Sequence, residues 1–535
     1  MNYVIGSGPA AISAAMALVK QGRPVTILDG GKALEPAPQA VLERMQAQEP
    51  AQWSAQDLEA LRGADQSSKH GSIHVKRTCG SEYPYEDIDT PLMDDRAHGD
   101  FHYSMARGGL SAVWGASQLP NRAQDMQDWP VSLAELEPHY RAVLDFMPST
   151  AVEDRLANIL PTYTARPRPW TPSRQGDRFL SSLEKHAGKL ERAGIHFGRS
   201  RMAVWADGRA DAKNPHPCAY CGWCLYGCPY SLVYSSAHTL EQMIAAGTVT
   251  YHPGIVVQKF ESIPGGVKIH ARDVAHGEDV IFEGERVFVG TGVLPTAWLV
   301  FRSLDLYDTP VKLLDSQYFI FPFFRFGKTA GVEKESLHSL GQAYLEIDDP
   351  AISKGLVHIE VFSYSDFLKR ALCETPLRFI LRIPFFAEKV LGRLLVLQCF
   401  MHSDDSASLD LQLKRNGTAA PKLVSQARPN RRSFWKSLHV GWKLMVNALS
   451  LGGLPVVPAI QFARPGRSYH TGGSFPMRQK PGRLETDLLG QLAELPRVHF
   501  VDASVLPSIP GTTITLSVMA NAHRIATEAV KSPAA

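Results

Sequence analysis

The sequence predicts a mixed α/β fold organised around a discontinuous, Rossmann-like dinucleotide-binding domain. Three observations lead there: a glycine signature between a strand and a helix at the N-terminus, a second strand and glycine turn near residue 290, and an apolar-faced helix at the C-terminus. The chain has 535 residues, whereas single cores stop growing at roughly 250 to 300 residues, so two closely joined domains are expected.

The first unit opens with Tyr3-Val4-Ile5, which reads as a short buried strand, followed by Gly6-Ser7-Gly8-Pro9-Ala10-Ala11 and an alanine-rich helical run to Val19. This is G-x-G-x-x-A in its required setting. Gly6 makes the tight turn, Gly8 lets the backbone approach a pyrophosphate, and Ala11 keeps the helix close to the sheet. Pro9 suits the first helical turn, where its missing N–H costs nothing. Gly22 ends the helix, and Pro24 to Leu28 form a second strand with Asp29 at its tip, followed by Gly30. An acid about 20 residues beyond the glycines suits a ribose hydroxyl, and the free N–H groups of the helix suit phosphate. Such a unit binds FAD or NAD(P). Its place at the N-terminus, with the domain completed much later, is the arrangement of FAD enzymes.

Three further segments carry information. One is Arg107-Gly108-Gly109-Leu110-Ser111-Ala112-Val113-Trp114-Gly115, whose glycines permit close backbone approach. Trp129-Pro130, then Leu133, Leu136 and Tyr140, mark a helix after it. Another is the strand and turn Arg286 to Gly292 with Gly290 at the turn, ahead of a helix opened by Val293-Leu294-Pro295-Thr296; upstream, Ile255-Val256-Val257 reads as a strand. The last comprises Tyr469-His470-Thr471-Gly472-Gly473, then Asp502-Ala503-Ser504, then a helix expected from about Thr513 to Lys531, with Ile514, Val518, Ile525 and Ala529 on one face.

Together these segments resemble the glucose-methanol-choline (GMC) family of FAD-dependent oxidoreductases across most of the chain. The resemblance implies an FAD-binding domain in three parts, 1–150, 200–305 and 468–535, with a connector at 151–199 and an antiparallel-sheet substrate domain at 306–467. It places Gly108, Gly109 and Ser111 along the pyrophosphate and flavin, Arg107 and Trp114 beside them, and Val257 against the adenine. Val113 stands where covalently flavinylated relatives carry histidine, so FAD is expected to be noncovalent. Asp502, Ala503, Thr513 and Ile514 fall at the flavin, where the positive end of the last helix meets the charge that collects on reduction.

Removing hydride from an alcohol carbon requires the hydroxyl proton to leave as well. His470 matches the family's catalytic histidine, and an imidazole of ordinary pKa ~6.5 suits that task. The family's second histidine or asparagine is replaced here by Thr513, which can donate one hydrogen bond but cannot share base duty.

The run Cys218-Ala-Tyr-Cys221-Gly-Trp-Cys224-Leu-Tyr-Gly-Cys228-Pro229 spells C-x2-C-x2-C-x3-C-P, the bacterial ferredoxin spacing, within an insertion expected at 214–232. A 3Fe-4S cluster on three local thiolates, or a 4Fe-4S cluster completed by Cys228 or by Cys79, Cys373 or Cys399, is one reading. Zinc, or a cysteine-rich structural loop without metal, is the other. Some bacterial sugar dehydrogenases of the family carry a cluster in a comparable insertion. That implies a dehydrogenase passing electrons from a sugar or polyol to an external acceptor, a quinone or a cytochrome-like protein.

Composition narrows the partners. Lys and Arg number 56 against 53 Asp and Glu, too even a balance to attract nucleic acid. No leader-like segment and no uncharged apolar run of ~18 residues is present, so a cytoplasmic protein without a transmembrane segment is expected, with export alongside a partner as the other route. Two stretches are oily: Tyr318 to Phe324, read as a sheet strand, and Leu377 to Val396, read as a core-facing amphipathic helix. The arginines and lysine of the second also suit peripheral contact with a membrane surface. That keeps open an oxidoreductase for a bulky lipid alcohol and, from another class, a nonenzymatic escort that retains the flavoprotein fold.

Overall fold

A computed structural model describes residues 1–63, 76–88, 92–94, 99–211, 215–375, 378–417 and 419–531. Its nucleotide-binding half is a five-stranded, all-parallel sheet in the order Val498–Phe500, Arg286–Val289, Asn2–Ile5, Val25–Asp29, Thr250–Pro253. Strands from the start, middle and end of the chain thus lie side by side. The three inner strands are near-continuous apolar runs, with Val4, Ile27, Leu28, Val287, Phe288 and Val289 fully buried, as a parallel sheet covered on both faces requires; the edge strand Thr250–Pro253 is polar and largely exposed.

Register aligns the ends of these strands. Ile5 pairs with Leu28 on one side and Val289 on the other, so the turns at Gly6 and Gly290 emerge next to each other. A Cβ added to Gly290 would stand 2.6 Å from the Ala11 nitrogen. The third small residue of the N-terminal signature is therefore needed for contact with this second turn as well as for packing on its own sheet.

Helix Pro9–Lys20 packs against helix Thr515–Ala529, which also packs against helix Leu133–Phe146. The Ser13 hydroxyl donates to the Met519 carbonyl at 2.7 Å. The middle helix starts at Ser132, whose side chain forms a capping box with Glu135. The C-terminal helix is shorter than the sequence suggested and is buried on nearly every side, because two helices and a loop enclose it. Its polar residues are satisfied there: Arg524 donates to the Asn521 side chain at 2.9 Å and to the Leu488 carbonyl at 2.7 Å.

The second half is a seven-stranded antiparallel sheet. Its main path runs Gly453–Pro455, Tyr318–Arg325, Leu394–Phe400, Val357–Phe362, Ala343–Ile347, Ile195–Arg199, with Gln461–Phe462 also on Tyr318–Arg325. One face, carrying Phe319, Phe321, Phe323, Leu395, Leu397 and Ile359, forms a separate core with Phe179, Val440 and Leu444 from helices Arg174–Glu184 and Arg431–Val446. A four-stranded sheet, Ala419–Arg428, Ser408–Asn416, Val311–Asp315, Thr471–Gly472, bridges the halves, and Ile255–Ile263 opens a three-stranded meander.

One expected element is different. The stretch read as a single core-facing helix from Leu377 is two short helices, Arg378–Leu381 and Pro384–Leu391, followed by the strand Leu394–Phe400. Residue 377 lies outside the described residues, as does residue 214 at the start of the expected cysteine insertion. Pro384 lacks the N–H a continuous helix needs and restricts Ile383 before it, so the helix divides there.

The substitution Gly290→Ala is expected to lower stability by about 2 kcal/mol, as overpacking does in a close-packed core. Thermal denaturation checks this against Gly115→Ala, where an added Cβ meets nothing within 4 Å; equal melting temperatures for the two variants would contradict the packing argument.

Candidate active site

The carboxyl ends of the parallel strands face the antiparallel sheet across a cavity of about 630 Å³. Ligands of open α/β sheets bind at such strand ends. Of the residues singled out in the sequence, Gly6, Gly8, Asp29, Gly30, Gly109, Ser111, Val113, Trp114, Val257, Gly290, His470, Asp502, Ala503, Thr513 and Ile514 line it. Ala11, Arg107 and Gly108 do not. Ala11 faces Gly290, Arg107 pairs with Glu241 at 3.3 Å and lies over the Tyr251 ring, and the Gly108 N–H donates to the Ser7 hydroxyl at 2.9 Å.

At the N-terminal end of the cavity, hydroxyls tie the two glycine loops together. Ser7 donates to Asp29 at 2.6 Å, and Ser236 donates to the carbonyls of Ser7 at 2.8 Å and Gly108 at 3.1 Å. Ser111 donates to the Gly108 carbonyl at 2.5 Å and accepts the Ser236 N–H at 3.0 Å. The serine of the Gly-Gly-x-Ser loop thus braces the loop itself. Burial pushes the Asp29 carboxyl up to about 6, against hydrogen bonds from Ser7 and Tyr251. Both hydroxyls donate to the same oxygen, Oδ2.

Asp502 is also a brace. Its carboxylate accepts from the Gly292 N–H at 2.9 Å, the Thr296 hydroxyl at 2.6 Å and the Ser504 N–H at 2.9 Å. Losing a charged acceptor that serves buried donors costs 1–3 kcal/mol or more, so this clamp holds the C-terminal segment to the turn after Gly290. The Gly472-Gly473 pair has a similar cause. A Cβ on Gly472 would stand 2.4 Å from the Ala503 carbonyl oxygen, and the Gly473 N–H donates to that carbonyl at 2.9 Å.

His470 precedes this contact on a loop held from below by Asp315. The Asp315 carboxyl accepts the Ser468 hydroxyl at 2.6 Å and the Gly466 N–H at 2.9 Å, the Ser468 oxygen accepts the His470 N–H at 2.9 Å, and the His470 carbonyl accepts the Ser316 N–H at 3.1 Å. Tyr469 takes a left-handed φ of 59°, a strained conformation for a tyrosine that turns the chain immediately before the histidine. The imidazole packs on Phe400 with ring centroids 4.8 Å apart, and its Nδ1 has no hydrogen-bond partner. Burial lowers its pKa to about 4, Glu360 opposing and His358 adding to the shift. The Thr513 hydroxyl, in the same lining, is buried and also unpartnered. Helix Thr515–Ala529 begins there without a side-chain cap.

Sequence reasoning missed a buried acid–imidazole relay behind this histidine. His358 Nδ1 donates to the carboxylate of Glu346, its cross-strand partner, at 2.6 Å, and Nε2 lies 3.6 Å from Glu360, which lines the cavity. Burial opposes charge on His358, but the two carboxylates outweigh it and raise the imidazole to about 9. Alternating residues in Val357-His358-Ile359-Glu360-Val361 were the available signal: two titratable groups on one face of an otherwise apolar strand. Asp315 left no such trace.

The metal-site expectation finds no support in the fold of the cysteine run, although its thiols lie near enough to raise one another's pKa. Among the described residues, no group of three or more histidine, cysteine or acidic side chains could hold a metal ion. The run folds as a packed loop, turned by left-handed Tyr220, Gly222 and Gly227. Cys224 is buried beside Ser339, and burial pushes the Cys218 thiol up to about 11 and that of Cys221 to about 12. Of the proposed outside donors, Cys79 lies against Gly227, but Cys399 is inside the second core and Cys373 is exposed.

No protein-family description matches the chain, and no curated protein sequence matches it. Among solved structures it is similar to pyridoxine 4-oxidase from Mesorbium loti, with a TM-score of 0.61 and 12% identity over 99% of each chain. At that identity the likeness establishes the shared fold from end to end.

The relay predicts a pH dependence of stability. A histidine whose folded pKa is raised from 6.5 to about 9 contributes stability that is complete below about 6.5 and is lost as pH rises through about 9. Thermal midpoints are expected to fall across that window by an amount equivalent to a few kcal/mol, and to fall less in the paired variant His358→Phe with Glu346→Leu. Equal slopes would contradict a charged His358.

Proposed function

We propose that this chain is an FAD-dependent oxidoreductase that oxidises the CH–OH group of a bulky, largely apolar alcohol, with His470 as the base. The observation that carries the reading is the meeting, in one cavity, of the dinucleotide turn, both glycine loops, and His470 with Thr513 at the start of the last helix. The likeness to an oxidase of pyridoxine supports it.

The residues present suit FAD. Gly6, Gly8 and Gly109 offer close backbone approach, the uncapped helix Pro9–Lys20 offers N–H groups to pyrophosphate, and the Asp29 carboxyl lines the cavity where a ribose hydroxyl would sit. At the other end, the uncapped start of Thr515–Ala529 and the unpartnered Thr513 hydroxyl face the position proposed for the isoalloxazine. Val113 carries no nucleophile, in keeping with noncovalent binding. Bound FAD supplies a two-electron hydride acceptor.

His470 takes the hydroxyl proton while the carbinol hydrogen leaves with the electron pair of the C–H bond, which bound FAD would accept, and C=O forms. Because burial holds it neutral above about pH 4, the base form stands ready without prior proton loss. Thr513 donates a hydrogen bond to the substrate oxygen, orienting it. Glu360, close enough to His470 to favour its charged form, stabilises the imidazolium as it arises.

The substrate half of the cavity is lined by Tyr318, Ile320, Phe362, Phe367, Leu368, Leu372, Val396 and Phe400, with Gln398 and Gln461 as amides and Glu360 as the acid. Such walls favour a bulky apolar alcohol over the sugar or polyol the sequence suggested, since a sugar would leave hydroxyls unpaired against them. Oxygen consumption against reduction of a quinone distinguishes oxidase from dehydrogenase.

His470→Ala is expected to retain FAD and to slow anaerobic flavin reduction by about 10² to 10⁴-fold, the usual worth of general base catalysis. In the native protein the reduction rate should fall as pH drops through about 4, where the imidazole becomes protonated. Reduction by the variant within a few-fold of native would remove the assignment.

A further inference from the structure

The antiparallel ladder between Tyr318–Arg325 and Leu394–Phe400 forms a floor from His470 to solvent. On the cavity-facing side of the sheet its pairs are Tyr318 with Phe400, Ile320 with Gln398 and Pro322 with Val396, which line the cavity, and then Phe324 with Leu394 beyond that lining. The first pair reaches His470 through Phe400; the last ends in exposed Phe324. Six residue steps of strand span about 20 Å. Phe367, Leu368, Ala371 and Leu372 of helix Asp366–Cys373 also line the cavity.

Helices Arg378–Leu381 and Pro384–Leu391 connect that helix to the outer end of the floor. Leu381, Ala387 and Leu391 turn inward and pack with Leu372. Phe379, Ile380, Ile383, Phe385 and Phe386 turn outward, each between 41 and 61% exposed. Five large apolar side chains on two short helices exceed the scatter of single exposed residues found on soluble surfaces. Cations sit among them: Arg378 lies 4.8 Å from the Phe379 ring and Lys389 3.9 Å from that of Phe385.

A second exposed stripe, Trp435, Trp442, Val446 and Leu449, runs along helix Arg431–Val446 and the turn after it. Leu454 pairs with Phe324, and Phe326 donates its N–H to the Gly452 carbonyl at 3.0 Å, so this rim reaches the same end of the floor. The chain as a whole is nearly balanced in charge. Residues 378–393 and 431–446, however, hold eight Lys and Arg against Glu388 alone. Glu388 is paired with Lys328, and Lys436 and Lys443 with Asp405 and Asp349.

Outward aromatics interleaved with cations match the chemistry of an anionic bilayer surface, where rings enter the headgroup boundary and Lys and Arg meet lipid phosphates. Among the described residues no helix is long and apolar enough to cross a membrane. We infer that this face docks the protein on anionic phospholipid bilayers, so that the alcohol enters the cavity from the membrane. The docking stands on the surface alone; the delivery to His470 rests on the alcohol-oxidation reading.

The test is flotation of the full-length holoprotein with vesicles of phosphatidylcholine alone and of equimolar phosphatidylcholine and phosphatidylglycerol. Binding to the anionic vesicles is expected, about tenfold or more weaker on the neutral ones or at high salt. The double variant Phe385→Ser with Phe386→Ser is expected to bind about tenfold or more weakly, with melting temperature, FAD content and flavin reduction by a short soluble alcohol unchanged. His470→Ala should float like the native protein. Failure of the native protein to float, or undiminished binding by the double variant, would overturn the docking while leaving the catalytic reading intact. So would a homodimer in sedimentation equilibrium that the same double variant dissolves, since the face would then be covered by a second copy. Floating protein whose flavin no alcohol reduces would instead sink the catalytic reading.

Discussion

The contact between helix Pro9–Lys20 and helix Thr515–Ala529 is the constraint on which the rest of the structure depends. It joins the two ends of the chain, and with it the strand Val498–Phe500 completes the sheet started by Asn2–Ile5. The turn that carries the dinucleotide signature and the helix start that carries Thr513 then open on one cavity. Asp502 fastens the same closure from the far side by holding the turn after Gly290. Were either fastening loosened, the histidine loop would lose its position, since Gly472 and Gly473 rest on Ala503.

The candidate site is electrostatically graded. Next to the cavity, His470 is kept neutral because burial outweighs the nearby carboxylate. Behind it, His358 is kept charged because two carboxylates outweigh burial. The same residue type, in contact with the Phe400 ring in both cases, is driven to opposite states by its surroundings. A neutral imidazole beside a carboxylate-backed relay is suited to receive a proton and to disperse the charge that results.

Features encoded locally were legible in the sequence. Gly6 to Ala11 between a strand and a helix, Asp29 at the next strand tip and the helix marked by Leu133, Leu136 and Tyr140 each need only a short window to be read. The three inner strands of the parallel sheet also followed, because they are apolar runs; its edge strands Thr250–Pro253 and Val498–Phe500 were not read. Glu360 and Asp315 were not legible, since their meaning arises from cross-strand register and from a loop more than a hundred residues away. The cysteine run was legible only as a spacing, since the arrangement its thiols take up depends on where Tyr220, Gly222 and Gly227 turn the backbone. For residues 377–396 the apolar content suggested burial, whereas Pro384 split the helix and left the aromatic rings outside.

The claim that most of this depends on is that the cavity is built for one flavin dinucleotide held without a covalent bond. Heat-denaturing the purified protein and quantifying what is released tests it directly. The account predicts one FAD per chain in the supernatant, restored by FAD to protein stripped of it. No dinucleotide after such reconstitution, a nicotinamide dinucleotide in its place, or flavin that stays with the precipitated chain would contradict it.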